Sequence, residues 1–381
     1  MDMITLLQPP RIAFGNGCAT QSAGFLAEHG VKRAFLVSST AVMPLLHPIA
    51  EAAKKSRVTC VMAPPVDCEP THRRFEEVLS AARAEAVDGV LGIGGGSVMD
   101  VAKLVAALIG SQQSAADIFG ANRLRGRVLP LVCLPTTAGT GAEVSPNAIL
   151  LDEREELKKG VVSPHLVPDA AFVDPLLTVT VPPEVTAATG FDALTHCIEA
   201  YANKFAHPVV DAYALQGIKL ISANLLRAVR DGGDLEARAA LSLGSLYGGL
   251  CLGPVNTAAV HALAYPLGGK FHVAHGVSNA LLLPHVLRFN CPAAPQRYSE
   301  VAAALGLRSQ GSPLETADDG VTHLSQLSCD CGVPQKLSEL NVPRAAIPAM
   351  ARAAMQVTRL LKNNPRPVTE PDAARIYEAA Y

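Results

Sequence analysis

The chain has no tryptophan, and aromatic residues of every kind make up only 4% of its 381 positions. A core so short of large rings must be filled mainly by alanine, valine and leucine, and apolar residues do reach 49%. Charged residues are also few, at 17%, which excludes the highly charged, weakly apolar composition of a disordered chain. No basic run exceeds a pair such as Lys54–Lys55 or Arg73–Arg74, and the formal net charge is −2. That is not the footprint of a nucleic-acid binder, so no nucleic-acid partner is expected. No apolar run is long enough to cross a bilayer, so no membrane partner is expected. The first residues, MDMITLLQPPRIAFGNG, lack the cationic start and long apolar segment of a secretory signal. Nine cysteines stand at irregular spacings, and Cys329 and Cys331 are one residue too close for a CxxC pair. Reduced thiols in a cytoplasmic protein are therefore expected.

What is present alternates. Apolar runs that read as strands occur within residues 10–17 (a short edge strand), and at 33–39, 57–63, 90–93, 128–134, 147–151 and 171–174. Helical stretches lie between them, at about 20–29, from Pro44 to Ser56, and at 71–86 behind Thr71 as N-cap. Strands alternating with helices predict βαβ units and a parallel sheet. After Pro175, Pro182 and Pro183 the pattern changes to helical periods with short breaks and no strand. The length suits two domains, with the boundary at residue 182. The expected architecture is a Rossmann-like α/β domain over 1–182 and an all-α domain over 183–381.

Residues 92–103, GIGGGSVMDVAK, run from a buried strand through three glycines into a helix beginning near Ser97. Glycines admit positive φ and close approach of a ligand to the backbone. A helix N-terminus adds free amides and a positive dipole end, so the turn has the makings of a pyrophosphate cradle. Neither GxGxxG nor a Walker A pattern is matched, and a plain strand–helix turn is the alternative. A second loop, LPTTAGTGAEVSP (134–146), follows the next strand with Thr136, Thr137 and Thr140 beside Gly139 and Gly141. Two such loops at neighbouring strand ends would suit a dinucleotide.

In ATGFDALTHCIEAY (188–201), Asp192 and His196 stand four apart, on one helical face. Alone, such a pair is a hydrogen bond or a surface feature as readily as a metal platform. His261 and His275, in HALAYPLGGKFHVAHG, supply two further imidazoles on an apolar background. One carboxylate and three imidazoles make a ligand set for a borderline divalent ion. Glu199 is read as a solvated helix acid, with a hydrogen bond to a ligand imidazole as the alternative.

GGGSVMDVAK, PTTAGTGAEVS, FDALTHCIEAY and HALAYPLGGKFHVAHGVSNALLLPHVLRFN, in that order, resemble the iron-dependent (group III) alcohol dehydrogenases. The C-terminal KNNPRPVTEPDAARIYEAAY is of the same kind, so the resemblance covers essentially the whole chain. It implies a dinucleotide-binding α/β domain followed by an all-helical catalytic domain. It also implies Asp192, His196, His261 and His275 as ligands of Fe²⁺, with Zn²⁺ as the alternative ion. NAD or NADP would lie against Gly95, Gly96, Ser97 and Asp100 at the pyrophosphate, with Thr136, Thr137 and Thr140 towards the nicotinamide. Lys158 aligns with a cofactor-proximal lysine, with Lys159 beside it as the competing assignment. The implied reaction is hydride transfer between the nicotinamide and a small alcohol or aldehyde, in a homodimer.

Two positions depart from the family pattern. Ser39 stands where NAD-preferring members often carry an acid, which removes a repulsion towards a 2′-phosphate and leaves both cofactors open. Tyr265 stands where some members have a second histidine, so the proton path falls to Tyr265 and to His272. Tyrosine at this position is shared with hydroxyacid–oxoacid transhydrogenases, which makes a hydroxyacid oxidoreductase the alternative reading. A lyase of the same fold or an inactive binding protein is disfavoured by the intact ligand set.

Overall fold

The computed structural model describes residues 3–155, 157–308 and 311–381. It contains two compact units. The first comprises Leu6–Thr137 and Gly141–Thr180, and the second comprises Ala138–Thr140 and Val181–Tyr381 with the N-terminal residues up to Thr5.

The strands of the first unit are β1 (Arg11–Phe14), β2 (Arg33–Ser38), β3 (Thr59–Met62), β4 (Gly89–Gly94), β5 (Gly120–Ala121), β6 (Leu131–Pro135), β7 (Asn147–Asp152), β8 (Leu157–Val162) and β9 (Ala170–Val173). Six of them form a parallel sheet in the order β1-β9-β6-β4-β2-β3, with β1 at one edge. The helices are α1 (Gln21–Glu28), α2 (His47–Lys55), α3 (His72–Ala84), α4 (Gly96–Leu108) and the single turn α5 (Ala115–Ile118). Successive strand residues serve opposite cores. Phe35, Val37, Val90 and Cys133 pack with residues of α3 and α4, while Ala34, Leu36, Leu91, Ile93 and Val132 pack with residues of α1 and α2. Burial on both faces explains why these strands read as unbroken apolar runs.

Two expectations are corrected here. Residues 147–151 do not join the parallel sheet; as β7 they pair antiparallel with β8 in a second sheet ordered β5-β8-β7. β8 begins Leu-Lys-Lys-Gly, too polar to read as a strand, and is held by its register with β7. The glycines of the 92–96 turn also do not use positive φ: none is among the residues with φ above zero, and Gly95 has φ −78°. Two of them serve packing instead. A Cβ on Gly92 would lie 2.8 Å from the Ala102 Cβ, and one on Gly94 would lie 2.6 Å from the Val98 Cβ. Glycine therefore lets α4 close onto β4.

The second unit is helical: α6 (Pro183–Tyr201), α7 (Pro208–Arg230), α8 (Leu235–Leu252), α9 (Ala259–Phe271), α10 (His275–Asn290), α11 (Pro295–Ala304), α12 (Pro313–Asp330), α13 (Ile347–Met355), α14 (Thr358–Leu361) and α15 (Glu370–Ala379). Pro183 opens α6 at a position where no backbone donor is needed. From Gly190 to Tyr201 every residue of α6 is buried, because α7, α8 and α10 all pack against it. Among the described residues no helix is long and apolar enough to cross a membrane.

Candidate metal centre

A helix buried on all sides carries polar side chains only where they find partners. On α6 the buried ionisable side chains include Asp192, His196 and Glu199, at i, i+4 and i+7, hence on one face. His261 enters from the first turn of α9, and His275 is the first residue of α10. A Cβ on Gly276 would fall 2.2 Å from the Ala188 carbonyl oxygen, so only glycine allows α10 to begin against α6. That contact sets His275 beside Asp192.

The Nε2 atoms of His261 and His275 each lie 3.5 Å from Asp192 Oδ1. One ligand atom from each of Asp192, His261 and His275 falls within 4.8 Å of the others. His196 flanks the trio, with Nε2 3.9 Å from Asp192 Oδ1 and its ring stacked on His261 at 4.7 Å between centroids. Asp192, His196 and His261 are buried, while His275 is partly exposed.

One residue at the centre takes the less favoured of its two expected roles, and another was not foreseen. Glu199 is no solvated acid: it is 5% exposed, its Oε2 is 2.7 Å from His261 Nδ1, and its Oε1 accepts from the Val260 amide at 2.6 Å. This turns the His261 Nε2 towards Asp192. The i+7 spacing from Asp192 was the available signal. The other is Asn279, whose Nδ2 donates to Asp192 Oδ1 at 2.7 Å and lies 3.1 and 3.3 Å from the Nε2 atoms of His261 and His275. Three acceptor-capable atoms thus converge on one point, where an amide has only two hydrogens to give. Among the described residues, Asn279 Oδ1 is buried with no hydrogen-bond partner. Convergent lone pairs and an orphaned carbonyl oxygen fit a divalent cation held by this set.

Charge at the centre is set by the carboxylates and imidazoles acting on one another. Burial alone would raise the Asp192 carboxyl, but the imidazoles of His196, His275 and His261 hold it far below the usual carboxylate range. Burial pushes His196 down to about 4 against the pull of Asp192, so it is neutral and able to ligate. Burial also disfavours charge on His261, yet the carboxylates of Asp192 and Glu199, accepting hydrogen bonds from its ring, raise it to about 9. Removing the Glu199 charge by Glu199→Gln is expected to lower metal affinity by about 10- to 100-fold, read by chelator competition. An unchanged affinity would make Glu199 a purely structural partner.

Tyr265 lies one turn after His261, half-buried, with its ring 6.3 Å from that of His275. His272 is exposed, in a left-handed conformation with φ 54° at the end of α9.

The remaining candidates fall mostly in the first unit. Gly95, Gly96 and Ser97 form the half-exposed start of α4, beside Thr137. Thr136 is buried, and its amide donates to the Gly94 carbonyl at 3.0 Å. Asp100 accepts the Ile149 amide at 3.0 Å, and burial lifts its carboxyl to about 6 despite Lys103. The buried Lys103 donates to the carbonyls of Ser145 and Asn147 at 2.9 and 2.8 Å, fixing the course of the second glycine loop. Lys158 is the inward lysine: its side chain is 3% exposed and pairs with Glu69 at 2.5 Å. Lys159 instead pairs with Asp152 and Glu155. Thr140 belongs to the second unit, where the Gly139 backbone packs against Thr189 of α6 so closely that a Cβ would lie 2.7 Å from the Thr189 Cβ. Ser39 is the half-buried residue that follows β2.

Comparison with known proteins matches residues 9–175 to the iron-containing alcohol dehydrogenase family and residues 186–381 to its C-terminal domain. Long-chain-alcohol dehydrogenase 1 of Geobacillus thermodenitrificans is 37% identical over 100% of this chain and 98% of its own length. The 1,3-propanediol dehydrogenase of Klebsiella pneumoniae is 36% identical over 92% of each. Among solved structures, a 1,3-propanediol oxidoreductase superposes with a TM-score of 0.96 at 33% identity, over 100% of both chains.

Proposed function

The chain belongs to the iron-containing alcohol dehydrogenase family, and from that premise we propose that it is a metal-dependent, NAD(P)-linked alcohol dehydrogenase, or aldehyde reductase in reverse. The observation that carries the reading is the convergence of Asp192, His261 and His275 on one point, with Glu199 behind His261. When bound, the metal supplies Lewis acidity towards an alcohol or carbonyl oxygen, and the nicotinamide takes or returns the hydride. Asp192, His261 and His275 would hold the ion, with His196 completing a set of four. Glu199 keeps the His261 ring oriented and its Nε2 lone pair basic. Tyr265, on the same face of α9 as His261, is suited to donate or relay a proton. His272, exposed beside this centre in sequence, is the second relay candidate.

The first unit is the dinucleotide-binding part of this reading. The amides at Gly95, Gly96 and Ser97 head a full-length helix and would face the pyrophosphate. Ser39, Asp100, Thr136, Thr137, Thr140 and Lys158 are the further cofactor contacts in this reading. A homodimer is proposed on the family resemblance, and a cytoplasmic site of action on nine free thiols. The test is a panel of primary alcohols, diols, 2-hydroxyacids and their carbonyl partners with NAD(H) and NADP(H). It is run on metal-stripped protein refilled with Fe²⁺ or Zn²⁺. Turnover of a small alcohol or aldehyde is expected, and no turnover with any pair would overturn the reading. Activity confined to 2-hydroxyacids would move it to the transhydrogenase-like alternative that Tyr265 favours.

A further inference from the structure

β2 ends at Ser38, which is in register with Ile93 of β4 and donates its hydroxyl to the Ile93 carbonyl at 2.8 Å. The chain therefore leaves β2 at Ser39 and Thr40 directly beside the point where β4 runs into Gly94, Gly95 and Gly96. In a doubly wound sheet the strand with the glycine turn takes the pyrophosphate, and the end of its outward neighbour faces the adenosine ribose. β2 is that neighbour, since only β3 lies beyond it. The end of β2 reads Ser-Ser-Thr and offers no acid of its own.

The acid comes from the next strand. After β3 the chain returns to the end of β2, where the Val66 amide donates to the Ser38 carbonyl at 2.9 Å. This pins Asp67. Its Oδ1 accepts from the Thr40 amide at 2.6 Å and its Oδ2 from the Thr40 hydroxyl at 2.8 Å. Both donors that Thr40 could offer to a ligand anion are thus held by a resident one. Those two hydrogen bonds keep the carboxyl below its ordinary range, so it is charged at neutral pH. Arg74, whose charge acts on this carboxyl, is engaged by Glu77 at 2.7 Å and by the Pro65 carbonyl at 2.6 Å.

We propose that Asp67, reaching across from the loop after β3, is the residue that sets cofactor preference, and that it favours NAD(H) over NADP(H) although Ser39 is not acidic. The proposal rests on the dinucleotide reading above. A ribose 2′-hydroxyl can donate to this carboxylate. A 2′-phosphate would meet its charge and find the Thr40 donors taken.

The test measures kcat/KM for NAD⁺ and NADP⁺ with one alcohol, and equilibrium binding of AMP and adenosine 2′,5′-bisphosphate. It compares the wild type with Asp67→Asn, which keeps shape and removes charge, with Asp67→Ala, and with Asp67→Ala combined with Ser39→Asp. The wild type is expected to prefer NAD⁺ by at least about tenfold, and Asp67→Ala to move the ratio about tenfold or more towards NADP⁺. Bisphosphate binding should rise in parallel, and Ser39→Asp should restore the preference for NAD⁺. A wild type indifferent to the 2′-phosphate, or an Asp67→Ala variant with an unmoved ratio, overturns the proposal alone. A metal-loaded protein that binds neither nucleotide overturns the dinucleotide reading and this proposal together.

Discussion

His261→Ala is expected to abolish stoichiometric metal binding and to lower alcohol oxidation by at least about a thousandfold, the loss of several kcal/mol of charge stabilisation. His261 is the hub of the centre: its Nε2 lies 3.5 Å from Asp192 Oδ1, and its Nδ1 is 2.7 Å from Glu199. The substitution also leaves the buried Glu199 with the Val260 amide alone, which should lower stability by about 1–3 kcal/mol. The reading is therefore made on folded protein, by elemental analysis beside a thermal melt. Wild-type metal content in a folded His261→Ala protein would remove His261 from the ligand set.

The second large effect is expected at the glycine turn, where neighbouring glycines do different work. A Cβ on Gly95 would meet only Thr137, 3.4 Å from its Oγ1 and 3.6 Å from its Cγ2, which is ordinary contact. Gly95→Val should fold and keep its metal while losing dinucleotide affinity by about 100-fold, because the added methyls stand where a pyrophosphate needs bare backbone. Gly94→Ala should do the reverse. Its Cβ would meet Val98 at 2.6 Å, so it should cost about 1–3 kcal/mol of stability through overpacking. A fluorescence titration with NADH and a denaturant melt separate the two. Equal NADH affinity in Gly95→Val and wild type would reduce the turn to a packing device.

Much of the first unit was legible because its strands are buried on both faces. The runs around Phe35, Val90 and Val132 are continuous because their alternate residues feed two cores. The small sheet was not legible. β5 has two residues, and β8 carries Lys158 and Lys159 on a pleat whose stability comes from pairing with β7 rather than from apolar content. The role of the glycines was misread in one respect, since closeness of α4 to β4, not positive φ, is what Gly92 and Gly94 provide.

At the centre, Asp192 and His196 were visible from helical spacing, and the imidazoles of His261 and His275 on an apolar background extended the pair to a ligand set; the family resemblance then implied the metal. Glu199 shared the face of Asp192, yet its role depends on α6 being enclosed on every side, which periodicity does not report. Asn279 lies one turn after His275 and has no motif to mark it. Asp67 was the least legible of all. Its partner Thr40 is 27 positions away, and the contact exists only because β3 lies beside β2 in the sheet.

The most direct measurement is the metal content and activity of the purified protein before chelation, after it, and after refilling with Fe²⁺ or Zn²⁺. One ion per chain at the start is expected, with alcohol oxidation lost in proportion to metal removed and regained on refilling. Full activity in protein shown by elemental analysis to hold no metal would contradict the role assigned to Asp192, His196, His261 and His275.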